Sequence, residues 1–179
     1  FFLMAQQGQT AAGIPTVKFI EDVGQFLKDE DSANSAIARL NENYTSYKWL
    51  EERLVAKKRN LKTKIPDIRK ALDTVEHLLS KKDETVETQF ELADHLFAHG
   101  VIEKPQTVCL WLGANVMVEY PLEEAKEVLS NNLNTANRNM EQVSNDLKFL
   151  KSQITTTEVN VARIYNYDVK QRRKAREGK

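Results

Sequence analysis

His95 and His99 stand four residues apart, and Cys109 follows them: these are the side chains whose types could hold a metal or act as a nucleophile. On a helix an i, i+4 histidine pair lies about 6 Å apart and can share a zinc ion, whereas on an extended segment the same spacing spans roughly 13 Å. No His-Glu-x-x-His and no further ligand cluster accompanies the pair, so both read as structural or surface histidines. His77 reads as a lone, solvated histidine on a helix. Cys109 falls mid-strand without a basic neighbour, which predicts a small buried hydrophobe rather than a nucleophile. The chain carries no Gly-rich phosphate loop, paired acid motif or nucleophile constellation. The expectation is a protein that is not an enzyme and uses no cofactor and no metal.

Charge offers one dense feature, the block Lys170, Arg172, Arg173, Lys174 and Arg176 with Lys179 behind it. Three readings compete for it: a solvated helix end that complements the macrodipole, a docking site for an acidic partner, and a nuclear localisation signal. Over the whole chain 26 basic and 26 acidic residues cancel, so no global field draws it to nucleic acid or to a membrane surface. No apolar run approaches the ~20 residues of a membrane span. Phe1-Phe2-Leu3 lacks the basic flank of a signal peptide, and Met4 reads as the natural start with those three residues extraneous to it. A single cysteine excludes an intrachain disulfide and fits a reducing compartment. The expected localisation is cytoplasmic, with nuclear entry left open.

The elements that position these residues follow from hydrophobic period. A first heptad repeat places Ala33, Leu40, Tyr47, Leu54, Leu61, Ile68 and Val75 at d, and Ile37, Tyr44, Glu51, Lys58, Ile65, Leu72 and Leu79 at a. A second runs through Leu129, Leu133, Ala136, Met140, Val143, Leu147, Leu150, Ile154, Thr157, Val161 and Ile164. Each covers about 50 residues, or roughly 75 Å of helix at 1.5 Å per residue. The charged fraction of 29%, a mean hydropathy of −0.54 and only six glycines and four prolines suit long solvated helices. Pro66 should bend the first helix without ending it, because the heptad phase continues from Leu61 to Ile68. In an antiparallel pair two registers satisfy the seam. The one pairing Leu54 with Ile154 sets Glu51 beside Thr157 and is preferred over the one pairing Leu54 with Leu147.

Between the repeats the period drops to two. Val108, Leu110 and Leu112 alternate with Cys109 and Trp111, and Val116, Val118 and Tyr120 alternate with Met117 and Glu119. Gly113-Ala114 fits a type II′ turn with glycine first, or a longer loop that takes in Asn115. Upstream, Phe90, Leu92 and Leu96 belong to a less regular hairpin, broken at Ala93 to His95 and at Gly100 and ended by Pro105. Isolated hairpins are marginal in water and these are apolar on both faces, so they need partners that close their edges. Ahead of the first repeat, residues 1–13 read as disordered. Phe19, Ile20, Val23, Phe26 and Leu27 share one helix face, so residues 14–28 read as a short amphipathic helix. The remaining boundaries are 31–82 for the first long helix, 86–120 for the hairpins, 121–173 for the second helix and 174–179 for a basic tail.

The order coil, double hairpin, coil resembles the alpha-type subunits of the prefoldin family. The residues that carry the likeness are Val108 to Tyr120 (VCLWLGANVMVEY), Thr155 to Lys170 (TTTEVNVARIYNYDVK), Gly13-Ile14-Pro15 and Phe19 to Val23. It covers the chain from about Gly13 to Arg173. The resemblance implies a mainly α fold: a long antiparallel coiled-coil hairpin with two β-hairpins at the turn that join an oligomeric β-barrel hub. It implies a hetero-hexamer with one more alpha-type and four beta-type subunits. Such an assembly holds unfolded actin and tubulin without ATP and hands them to the cytosolic group II chaperonin.

Under this resemblance the client contacts sit at the distal helix ends, at Ile37, Leu40, Tyr44 and Tyr47 on the first helix and Val161, Ile164, Tyr165 and Tyr167 on the second. Frayed ends would leave these seam residues exposed. Assembly falls to Phe90, Leu92 and Leu96 in one hairpin and to Val108, Leu110, Trp111, Leu112, Val116, Met117, Val118 and Tyr120 in the other. The basic block is a candidate for chaperonin docking. The rival reading is a structural coiled-coil homo-oligomer or scaffold, for which an apolar double hairpin has no use.

Overall fold

A computed structural model describes residues 14–28, 30 and 32–177. The expectations for residues 1–13 and for Met4 fall outside them. In chain order the elements are α1 (Val23–Phe26), α2 (Ala33–Ser80), the strands β1 (Thr85–Ala93), β2 (Leu96–Glu103), β3 (Thr107–Gly113) and β4 (Val116–Pro121), and α3 (Leu122–Glu177). The fold is mainly α with two antiparallel hairpins between long helices, as the sequence predicts. Ser32 caps α2, its Oγ accepting the Ser35 N–H at 3.1 Å. Pro66 lies inside α2 and does not end it. α3 opens with Glu123 and Glu124 at its positive end and closes with Lys174 and Arg176 at its negative end. Lys174 and Arg176 are therefore helical, where the sequence reading places a separate tail from residue 174.

The chain divides into two compact units, one holding residues to Arg59 and from Glu141 onward, the other Asn60–Met140. In the first, α2 and α3 run antiparallel. Ala36 and Leu40 pack with Ile164, and further along α2 Tyr47 packs with Leu150 and Ile154, joined by Leu54. Tyr47 and Ile154 share one cluster, and one heptad on from them along each helix lie Leu54 and Leu147. The register is thus the one that brings Leu54 towards Leu147, not Ile154. Glu51 does not sit beside Thr157; it accepts a bond from Lys48 at 3.0 Å, and Thr157 instead donates to the Gln153 carbonyl at 2.8 Å. Glu51 and Thr157 are each satisfied on their own helix, which removes the reason to pair them.

Residues 14–22 correct another expectation. They form no helix; only Val23–Phe26 make one turn, capped by Asp22 accepting from the Gln25 N–H at 3.0 Å. The backbone before Asp22 bonds to side chains of α2 and α3 in place of a helical ladder.

In the second unit Val75, Leu122, Ala125 and Leu129 are buried, with Ile68, Leu72 and Leu79 packed around them. Val108, Leu110 and Tyr120, one face of the β3–β4 hairpin, close over this cluster. The Leu122 N–H donates to the Gln106 carbonyl, and Lys82 pairs with Glu123 at 2.8 Å. That hydrogen bond lowers the Glu123 carboxyl below its ordinary range and raises the Lys82 ammonium. The β3–β4 loop is Ala114-Asn115, both with positive φ (49° and 61°), so the turn is of type I′ and not a type II′ turn led by Gly113. The β1–β2 hairpin is regular from Thr85 opposite Glu103 to Glu91 opposite Phe97. Gly100 does not break it. It pairs with Thr88, and the Phe90 ring covers it so closely that a Cβ there would overlap Cε2.

Candidate functional site

The feature of the first unit best suited to grip something is an open groove of about 340 Å³ between α2 and α3. Ile37, Asn41 and Tyr44 line it from α2, at the i, i+4, i+7 spacing that keeps side chains on one helix face. Thr157, Glu158, Val161, Ala162 and Tyr165 line it from α3. Its surface is mostly apolar, and Tyr165 is 61% exposed. Four of the eight residues placed at the helix ends by the sequence reading, Ile37, Tyr44, Val161 and Tyr165, meet here.

The other four do not. Leu40, Tyr47 and Ile164 are buried, and Tyr167 is half-buried against the same cluster. The cause is the stretch 14–23, which lies over the neighbouring face. Stepping one residue along a helix turns about 100°. Leu40 and Ile164 thus face the strap while Asn41 and Tyr165 face the groove. Coverage by this segment, rather than position near the helix ends, sets which of the eight are exposed.

Its attachment is polar as well as apolar. The Val17 N–H donates to Gln153 Oε1 at 2.6 Å and the Ile20 N–H to Asn160 Oδ1 at 3.0 Å. Asn160 Nδ2 returns a bond to the Lys18 carbonyl at 2.9 Å, so one amide side chain engages the main chain as a neighbouring strand would. Tyr47 donates its hydroxyl to the Pro15 carbonyl at 2.9 Å, and burial pushes its phenol above the ordinary value. Arg163 donates to the Glu21 carbonyl at 2.8 Å and sets its guanidinium 5.0 Å from the centre of the Phe19 ring. The heptads do not reveal this attachment. The sequence carries only a partial signal, apolar residues at every third position from Ile14 to Val23; the burial of Gln153 and Asn160 beside the seam is a feature of the fold.

In the second unit the predicted assembly residues split in two. Val108, Leu110 and Tyr120 pack on this chain's own helices, and Val118 is half-buried. Phe90, Leu92, Leu96, Trp111, Leu112, Val116 and Met117 are exposed, Leu92 by 67% and Trp111 by 59%. Each hairpin is a separate two-stranded sheet with open edges among the described residues. Cys109 is exposed on the same outward side of β3, not buried, because strand alternation turns it away from Val108 and Leu110. His99 lies on β2 opposite Gln89, with their nitrogens 3.2 Å apart, and His95 sits in the β1–β2 loop at φ 62°. Among the described residues no three His, Cys, Asp or Glu side chains gather as metal ligands, and no helix is long and apolar enough to cross a membrane. Lys170, Arg172, Arg173, Lys174 and Arg176 are all exposed along the end of α3, with Arg172 paired to Asp168 at 2.7 Å.

Known proteins share this arrangement. A family model described as Prefoldin subunit matches residues 47–167. Prefoldin subunit 3 of Homo sapiens is 46% identical over 166 residues, covering 90% of this chain and 84% of that protein. Prefoldin subunit 3 of Drosophila melanogaster is 42% identical over 174 residues, covering 96% and 89%. Among solved structures, the cryo-EM structure of the filamentous PFD from Methanocaldococcus jannaschii matches with a TM-score of 0.51, covering 64% of this chain and 94% of that one. Its identity is 20%, so that likeness is one of fold.

Proposed function

The chain belongs to the prefoldin family, as a co-chaperone subunit that works with other prefoldin subunits, and from that premise we propose that it holds unfolded actin and tubulin without ATP. The assembly is a hetero-hexamer with one more alpha-type and four beta-type subunits, and it delivers its clients to the cytosolic group II chaperonin. The observation that carries this reading is the open apolar groove in which Ile37, Tyr44, Val161 and Tyr165 converge. Exposed apolar surface of this kind attracts the apolar side chains of an unfolded chain. One such groove binds weakly, and several arms engaged together raise the affinity without consuming fuel. The exposed basic end of α3 is the proposed chaperonin contact, and the proposed location is the cytoplasm.

The outward apolar faces of both hairpins favour this reading over a simple coiled-coil scaffold, since a rod has no use for Trp111 and Met117 in water. The test mixes the chain with its partner subunits, adds denatured actin by dilution and follows light scattering without ATP. Suppressed aggregation by a defined hexamer is the expected result. A stable, monodisperse homodimer of this chain alone, with no suppression by any mixture, would overturn it.

A further inference from the structure

Residues 14–23 are held on the first unit in the manner of a bound peptide. Ile14, Ile20 and Val23 are buried and Val17 is half-buried, an every-third-residue pattern that matches the three-residue turn of an extended polyproline-II-like chain. The side chains of Tyr47, Gln153, Asn160 and Arg163 all exchange hydrogen bonds with main-chain atoms of this stretch, Gln153 and the Asn160 oxygen accepting and the others donating. Such bonds engage an extended backbone without reading its sequence. The apolar floor, Leu40, Ile154 and Ile164, asks only for an apolar side chain at each third position.

We propose that this face is a binding site for extended apolar polypeptide, filled in cis by the chain's own residues 14–23. An unfolded chain with apolar residues at every third position displaces this strap and takes its place. The inference rests on the holding role proposed above, but uses a face distinct from the open groove. A tethered strap competes at high effective concentration, so it lowers the apparent affinity for an incoming chain by the fraction of time it is lifted.

The probe is a labelled synthetic peptide of residues 14–23, followed by fluorescence anisotropy against the assembled complex. Three forms are compared: the native chain, the chain with Ile20→Asp, and Ile20→Asp combined with Asn160→Ala. The loosened strap of Ile20→Asp should bind the peptide at least about tenfold more tightly than the native chain. Asn160→Ala should reverse that gain, and a reduced, alkylated unfolded protein should displace the peptide. Equal binding by all three forms, or none by an Ile20→Asp complex of native helicity, overturns the proposal.

Hydrogen exchange on the native complex decides the matter without any variant. Saturation with the unfolded protein should speed exchange of the Val17 and Ile20 amides, which are now bonded to Gln153 and Asn160. Unchanged or slowed exchange there overturns the strap site. If native complex still suppresses aggregation in that case, the holding role stands without it.

Discussion

Asn160 and Ile20, 140 positions apart in the chain, are joined by a buried hydrogen bond of 3.0 Å from the Ile20 N–H to the Asn160 side-chain oxygen. The same amide donates to the Lys18 carbonyl, so both of its polar atoms are spent on one extended segment. Asn160→Leu strands a buried donor, the Ile20 N–H, and a part-buried acceptor, the Lys18 carbonyl. It should destabilise the first unit by about 1–3 kcal/mol, read as a lowered midpoint in chaotrope unfolding of the assembled complex. Asn160→Asp is a sharper probe. An ionised carboxylate still accepts from Ile20 but faces the Lys18 carbonyl with no proton to give. Its deficit should shrink as pH falls and the carboxyl protonates; a deficit independent of pH would contradict this geometry.

Tyr47→Phe keeps the buried ring and removes the bond to the Pro15 carbonyl, a loss of about 1 kcal/mol at neutral pH. Burial raises the phenol above its ordinary value, so the neutral form is the one the fold favours. The stability this contributes is complete below the unfolded tyrosine value and falls as pH climbs through the raised one. Unfolding midpoints of the two proteins should therefore converge at strongly alkaline pH.

Gly100→Val drives a side chain into the Phe90 ring and should cost the β1–β2 hairpin about 1–3 kcal/mol by overpacking. Phe90→Ala in the same chain should relieve part of that cost. Thermal unfolding of the two single variants and the double variant gives the coupling, and strict additivity would show that ring and backbone do not meet.

Trp111 and Met117 pair across β3 and β4 with both side chains turned to solvent. Trp111→Asp should leave the helices of the isolated chain intact, because the residue packs on nothing in its own core. It should abolish assembly with partner subunits, as read by native mass spectrometry. A hexamer formed at wild-type yield would remove the hairpins from the interface.

Much of this fold is legible in the sequence because its periods are long and clean. The a and d residues define α2 and α3, and the alternation from Val108 to Tyr120 defines a hairpin. That its Val108, Leu110 and Tyr120 face closes on this chain's own helices was not legible, because both faces are apolar. Register was not legible, since Glu51 and Thr157 looked like mutual partners, whereas each finds its bond on its own helix. The strap was misread for a related reason. Phe19, Ile20, Val23, Phe26 and Leu27 satisfy a helical period, but the main-chain groups from Pro15 to Glu21 bond to side chains more than a hundred positions away or on another element. Only Tyr47, Gln153, Asn160 and Arg163 brought together could reveal that. Of the candidate site, the resemblance placed Ile37, Tyr44, Val161 and Tyr165 at the helix ends, and these four line the groove. Burial of Leu40, Tyr47 and Ile164 depended on the strap.

The central claim is that unfolded polypeptide is held in the groove between α2 and α3, and site-specific photo-crosslinking tests it most directly. A photo-reactive residue replaces Tyr165 in one complex and Lys57, exposed on α2 away from the groove, in another. After dilution of denatured actin into each, crosslinks to actin should form from position 165 and not from position 57. Equal crosslinking from both positions, or none from 165 by a complex that still suppresses aggregation, would contradict the account.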